Sequence, residues 1–168
     1  MANIVLNYDL VTSKACYRLP RRDDIPILLR LAAQFVNERA ATQNPQERML
    51  RTVRELSLHP DRGSIFLFEK GQDLVGYCVL VNQWSSKYGG TVVKIDELFL
   101  DPDHRGDGIA EDFLELLAKV APPETYAIEV DAAADRATVK LCERAGFEGR
   151  NARIMTMRTE KDSASGDT

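Results

Sequence analysis

One segment of the 168-residue chain restricts the possible folds more than any other. An apolar run ends at Leu98-Phe-Leu, Asp101-Pro102 interrupts it, and Arg105-Gly-Asp-Gly-Ile-Ala opens an amphipathic stretch. This order predicts a buried strand, a tight polar turn and a helix over 107–120. Two glycines at such a turn let a ligand approach the backbone closely, and the free N–H groups of the first helical turn favour an anion. The segment therefore predicts a site for a phosphate or pyrophosphate group.

Helical and strand patterns follow one another along the chain in an order that indicates the fold class. Helical spacing predicts helices over 23–36, 45–58, 107–120 and 135–145, and apolar or alternating runs predict strands over 16–19, 64–68, 74–81, 91–100, 126–130 and 153–158. Two helices, an antiparallel meander and a β-α-β-α-β run make an α/β fold. We expect a mixed, mostly antiparallel central sheet with helices on both faces.

Length and charge limit the domain organisation and the partners. A chain of 168 residues predicts one domain. We assign an N-terminal arm to 1–14, the domain to 15–159 and a disordered polar tail to 160–168. The formal net charge of −4 argues against non-specific nucleic-acid binding, because such binding needs a basic surface.

The cysteines and the first residues indicate the compartment. Cys16, Cys78 and Cys142 are odd in number and scattered, and no cysteine or histidine cluster has the spacing of a metal site. Three reduced thiols are typical of a reducing compartment. The first ten residues show neither a basic segment nor a long apolar run, so we predict a cytoplasmic protein without a membrane span.

Two adjacent carboxylates in the strand over 91–100 are candidate functional groups. Asp96 and Glu97 lie among apolar residues, and carboxylates are rarely buried without a partner. Strand alternation predicts opposite faces, so that at most one of them points at a substrate. Trp84 and Tyr88 precede this strand and form either a wall for a cationic substrate or a packed hairpin tip.

Two motifs now resemble those of a known family. The segment Arg105-Gly-Asp-Gly-Ile-Ala is similar to Gln/Arg-x-x-Gly-x-Gly/Ala, the acyl-CoA pyrophosphate motif of the GNAT superfamily of N-acetyltransferases. The segment Leu141-Cys-Glu-Arg-Ala-Gly-Phe is similar to the later motif Phe/Leu-Tyr-Glu-Lys-x-Gly-Phe. The resemblance implies the GNAT fold, with about six to seven strands, and acetyl-CoA as co-substrate.

The resemblance also implies which residues meet the co-substrate. The backbone of Leu98, Phe99 and Leu100 would pair with the pantetheine arm. The pyrophosphate would lie on Arg105, Gly106, Asp107, Gly108, Ile109 and Ala110, with Arg105 contacting phosphate or supporting the loop.

The chain departs from the family at two cofactor positions. Asp135 stands where the family often has an asparagine that contacts the cofactor. Cys142 stands where it often has a tyrosine that protonates the leaving thiolate.

The implied activity is transfer of an acetyl group to the primary amine of a small, polyamine-like molecule. Either carboxylate, acting through water, would remove the proton of the ammonium, because an ammonium has no lone pair. By position Asp96 matches the substrate-binding acid of the polyamine-acetylating branch, and Glu97 would brace the structure. Acetylation of protein N-termini or lysines, and a non-catalytic acyl-CoA-binding regulatory module, are the alternatives; a homodimer also stays open.

Overall fold

The computed structural model describes residues 9–39, 44–132, 136–149 and 156. Within these residues six strands form one sheet in the order of the sequence. The strands are β1 (Leu10–Val11), β2 (Cys16–Arg18), β3 (Gly63–Lys70), β4 (Asp73–Ser85), β5 (Gly90–Leu100) and β6 (Thr125–Val130). All neighbours are antiparallel except β5 and β6, which are parallel. The predicted mixed, mostly antiparallel sheet is confirmed.

Four described helices cover the two faces of this sheet, as the sequence predicts. They are α1 (Ile25–Glu38), α2 (Pro45–Leu58), α3 (Ile109–Val120) and α4 (Arg136–Arg144). Alternation along β3 sends Leu67 to a core under α1 and α2, and sends Phe66 and Phe68 to a core under α3 and α4. The strands at the centre of the sheet are therefore apolar on both faces.

The N-terminal hairpin fixes the beginning of α3. Tyr17 is fully buried, and its hydroxyl donates to the Asp112 carboxylate at 2.5 Å and lies 2.9 Å from the Ile109 carbonyl oxygen. Burial, followed by the contact with Asp112, raises the pKa of Tyr17, so the phenol stays protonated and can donate. The first turn of α3 is thereby held against β2.

Three boundaries differ from the sequence prediction or fall outside the described residues. Leu10 and Val11 pair with β2, so they belong to the sheet and not to a loosely held arm, because Leu10 is buried in the core. The strand β4 continues to Ser85, four residues beyond the predicted end at 81. Apart from residue 156, the predicted strand over 153–158 and the tail over 160–168 lie outside the described residues.

The strand β5 is longer than its parallel partner. Pairing with β6 runs from Thr91 to Ile95, opposite Thr125 to Val130, whereas β5 continues to Leu100. The last five residues of β5 therefore have a sheet neighbour on the β4 side only, within the described part of the chain. None of the described helices is long and apolar enough to cross a bilayer.

Candidate active site

A β-bulge in β5 determines where the two adjacent carboxylates point. Glu97 pairs with Val79, but the next residue of β4, Leu80, pairs with Ile95, so Asp96 is an extra residue on β5. Ile95 packs under α3 and α4, whereas Phe99 packs under α1 and α2. The inserted residue shifts the phase of the strand, since without it Ile95 and Phe99 would face the same side.

The shift brings Asp96 and Glu97 to one cleft. The cleft has a volume of about 290 Å³ and lies between β5 and the first two helices; its lining residues are Ala32, Pro45, Arg48, Met49, Arg51, Thr52, Asp96 and Glu97. The expectation that alternation sends the two carboxylates to opposite faces is wrong, because that rule assumes a regular strand. Glu97 therefore cannot be assigned a purely internal, bracing position.

Glu97 is held by two side chains that come from distant parts of the chain. Tyr77 on β4 donates to Glu97 Oε2 at 2.7 Å, and Arg48 Nη2 on α2 donates to Oε1 at 3.3 Å. The Glu97 side chain is 17% exposed, and burial raises its pKa, although the bonds from Tyr77 and Arg48 act in the opposite direction. A carboxylate of raised pKa that faces a cleft is suited to accept a proton near neutral pH.

Asp96 differs from Glu97 in its surroundings. Its side chain is exposed at the cleft, and it makes no hydrogen bond or ion pair with any other described residue. A free carboxylate at the mouth of a cleft is available to a cationic ligand. Asp96 and Glu97 thus offer two kinds of carboxylate, one free and one positioned.

The glycine-rich turn before α3 has the backbone geometry of an anion site. Gly106 and Gly108 have φ values of +87° and +78°, a region that side-chain-bearing residues rarely adopt, and Gly108 is the N-cap of α3. Across 106–111 the backbone N–H groups donate to no backbone acceptor among the described residues. Ile109 and Ala110 bury their side chains, so they face a ligand only through these N–H groups.

Arg105 and Asp107 take supporting positions around this turn. Arg105 donates through Nε to the Leu100 carbonyl at 2.9 Å and through Nη2 to both carboxylate oxygens of Glu38 at 2.8 Å. The Asp107 carboxylate accepts from Lys70 at 2.7 Å, and this lysine holds the pKa of Asp107 below its usual value. These bonds are those expected for loop support, and a phosphate contact by Arg105 stays a prediction.

The unpaired side of β5 presents selected peptide groups. The Asp101 N–H donates to the Val75 carbonyl on the β4 side. Because successive residues direct their peptide groups to opposite sides, Leu98 and Leu100 direct theirs to the open side and Phe99 directs its groups to β4. The Leu100 carbonyl already accepts from Arg105. Phe99 therefore departs from the backbone-pairing role predicted for it.

The predicted aromatic wall lies elsewhere. Trp84 pairs with Thr91 near the tip of the β4–β5 hairpin, and its side chain is 69% exposed. Val79 is the β4 residue that pairs with Glu97, and Trp84 lies five positions further along β4. The distance along the strand between Val79 and Trp84 is therefore roughly 17 Å. Neither Trp84 nor Tyr88 lines the cleft, and the structure does not bring them to the carboxylates.

Two further predicted positions belong to the region around α4. Asp135 lies outside the described residues. The Cys142 side chain is 4% exposed in the core between α4 and the sheet, and burial raises its pKa. A thiol of raised pKa is a poor nucleophile, because the thiolate is the reactive form.

We expect Cys142→Ala to keep the acetyl-transfer rate within about threefold of the unchanged protein, with a loss of stability of roughly 1–2 kcal/mol from the small cavity. The rate is measured by thiol release, and intact mass after incubation with acetyl-CoA alone should show no added acetyl group. Cys16→Ala serves as the control, since Cys16 is a half-buried thiol on β2. An acetylated Cys142 that passes its acetyl group to an amine would contradict this assignment.

Comparisons with known proteins bear on the family and the fold of this chain. The sequence profile of the acetyltransferase (GNAT) family matches residues 30–147. No curated protein matches the chain in sequence. Among solved structures, an integron cassette protein from the mobile metagenome of Cole Harbour Salt Marsh is 27% identical, with 84% of this chain and 89% of that chain covered and a TM-score of 0.71.

Two structures with named activities share the fold at low identity. One is AAC(6')-Iy in complex with the bisubstrate analogue CoA-S-monomethyl-acetylneamine, at 16% identity, 88% and 99% coverage of this and that chain, and a TM-score of 0.70. The other is the aminoglycoside acetyltransferase meta-AAC0020 from an uncultured soil metagenomic sample, in complex with sisomicin, at 11% identity, 87% and 96% coverage, and a TM-score of 0.67.

Proposed function

The chain belongs to the acetyltransferase (GNAT) family, whose profile matches residues 30–147, and we propose that it transfers an acetyl group from acetyl-CoA to the primary amine of a small molecule. One observation carries the proposal. The bulge at Asp96 places two carboxylates on one cleft, beside the part of β5 that has no outer sheet neighbour among the described residues. Such a cleft can accept an ammonium group close to a thioester aligned along the strand.

The backbone around the glycine-rich turn fits the phosphates of acetyl-CoA. The N–H groups of residues 106–111, which donate to no backbone acceptor among the described residues, lie at the N-terminus of α3, where the helix dipole also favours a negative charge. The Leu98 peptide groups and the Leu100 N–H would bind the amides and the thioester carbonyl of the same molecule. When bound there, acetyl-CoA supplies the activated acetyl group.

The two carboxylates have different roles toward the amine: one binds the ammonium and the other removes its proton. Asp96, free and exposed, holds the ammonium through a charge-assisted hydrogen bond. Glu97, positioned by Tyr77 and Arg48, accepts the proton through a water molecule. The neutral amine then forms the new N–C bond as the C–S bond breaks, and the proton that the nitrogen loses on becoming an amide is taken up by the departing CoA thiolate. The Leu100 N–H polarises the thioester carbonyl during this step.

The cleft is large enough for a small acceptor. Its volume of about 290 Å³ is just below the range of ligand pockets, which measure roughly 300–1,000 Å³. The AAC(6')-Iy and sisomicin complexes also contain small amines, but their low identity to this chain supports only a shared fold.

The test is turnover of acetyl-CoA with a panel of small primary amines. We expect release of free thiol to match the amount of acetylated amine found by mass spectrometry. Reactions without an amine measure background hydrolysis, and a peptide with a free N-terminus and a lysine tests the protein-directed alternative. Thermal stabilisation by acetyl-CoA without turnover of any amine or peptide would instead favour a non-catalytic acyl-CoA-binding module.

A further inference from the structure

The cleft contains a positively charged side chain that has no role in the proposed proton removal. Two arginines of α2, Arg48 and Arg51, line it opposite Asp96 and Glu97. They lie three residues apart, so both project from the same face of the helix. The four ionisable groups that line the cleft therefore sum to zero net charge.

These four groups are unequally paired. Arg48 bonds to Glu97 through Nη2, so these two charges compensate each other, while Arg48 Nε is buried with no hydrogen-bond partner among the described residues. Arg51 makes no hydrogen bond or ion pair with any other described residue, and neither does Asp96. One guanidinium and one carboxylate therefore remain available within the same small cleft.

We propose that the acceptor is a zwitterion, a primary amine that also carries a carboxylate or a phosphate group. The inference rests on the proposed function and names its substrate class. The ammonium binds Asp96, and the anionic group binds the Arg51 guanidinium, which lines the same cleft. A planar guanidinium binds carboxylate and phosphate oxygens in the same two-pronged geometry, so either anion fits.

The charge balance of the cleft favours this class over simple amines and diamines. A monoamine brings one positive charge to a neutral cleft and leaves Arg51 unpaired beside it. A diamine brings two positive charges and places one of them near an arginine. Like charges at close range in a partly buried site are unfavourable, whereas a zwitterion keeps the cleft neutral and pairs both free groups.

The experiment compares acceptors that share a carbon chain and differ in charge. ω-Amino acids of two to six carbons are measured beside the alkylamines and diamines of equal length, and phosphoethanolamine beside ethanolamine. In the unchanged protein we expect kcat/KM for the best zwitterion to exceed that of the amine of equal length that lacks the anionic group by at least about tenfold. The carboxylate and phosphate series identify which anion is preferred.

Arg51→Gln tests the residue that carries the inference. We expect kcat/KM for the zwitterion to fall roughly 10- to 100-fold, mainly through KM, while kcat/KM for the matched alkylamine stays the same or rises, because a like charge has been removed. Arg54→Gln, an exposed arginine of the same helix outside the cleft, should leave both values unchanged.

Each result has one meaning. A preference for alkylamines or diamines, or an equal loss for all acceptors in Arg51→Gln, would overturn the inference and leave the acetyltransferase proposal standing. The absence of turnover with every amine would overturn the proposed function, and the inference would fall with it.

Discussion

Replacing Glu97 by glutamine should lower kcat by about 10²- to 10⁴-fold, the usual cost of removing a general base. The carboxylate faces the cleft and is oriented by Tyr77 at 2.7 Å, whereas the amide cannot accept a proton at neutral pH. Thiol release under saturating acetyl-CoA measures the change.

Asp96→Asn should instead raise KM for the amine and reduce kcat/KM roughly 10- to 100-fold, because a charge-assisted hydrogen bond is lost.

The pH profile separates a base from a merely structural acid. Because burial raises the pKa of Glu97, kcat/KM should fall on acidification through a pKa above the ordinary glutamate value. Tyr77→Phe removes a bond that favours the charged form, so this acid limb should move to higher pH, and Glu97→Gln should lack it. Full activity of Glu97→Gln with an inactive Asp96→Asn would reverse the two roles. Thermal melts of all three variants confirm that they fold.

Gly108→Asp should abolish the stabilisation that acetyl-CoA gives to the unchanged protein. Ligand at a hundredfold excess over its Kd adds about 2.7 kcal/mol, which corresponds to a rise in Tm of roughly 5–10 °C for a domain of this size. Gly108 caps α3 with φ of +78°, so an aspartate there places a carboxylate among the N–H groups that would meet the pyrophosphate. Repulsion between like charges would then exclude the ligand.

Gly89→Asp is the matched control for strain and charge. Gly89 also has a positive φ, +63°, and a side chain would meet no neighbouring atoms there, but it lies at the hairpin tip, at the opposite end of β5. This variant should keep the full rise in Tm. No rise with any acyl-CoA in the unchanged protein, or an undiminished rise in Gly108→Asp, would contradict the assignment of the turn.

Local patterns in the sequence were sufficient for the helices and for the glycine-rich turn. The apolar positions of α1 recur at helical spacing, Pro45 stands at the first position of α2, and Gly146 follows α4 with a positive φ. Each of these signals acts within a few residues. The same is true of the turn before α3, where Gly106 and Gly108 predict a backbone with positive φ values, as the structure has.

The side chains that make the cleft come from distant parts of the chain, and no local pattern identified them. Arg48 and Tyr77 lie 49 and 20 residues from Glu97, and no spacing rule connects them. The bulge is weakly indicated by the spacing of apolar residues along β5. Val93 and Ile95 are apolar at odd positions, whereas Leu98 and Leu100 are apolar at even positions, which requires one extra residue between them. Because Phe99 is also apolar, the regular strand was equally consistent with the pattern.

The side of β5 that has no sheet neighbour among the described residues bears on whether another chain can add a strand to this sheet. An unpaired strand edge is a template on which another chain can add a strand, and a long, flat edge is a hazard for that reason. Here the edge is only five residues long, begins at a bulge, and has its Leu100 carbonyl occupied by Arg105. Such an edge offers too few regularly spaced groups for a foreign strand but enough for the two amides of a pantetheine arm. The irregularity that places the carboxylates thus also discourages self-association of the sheet.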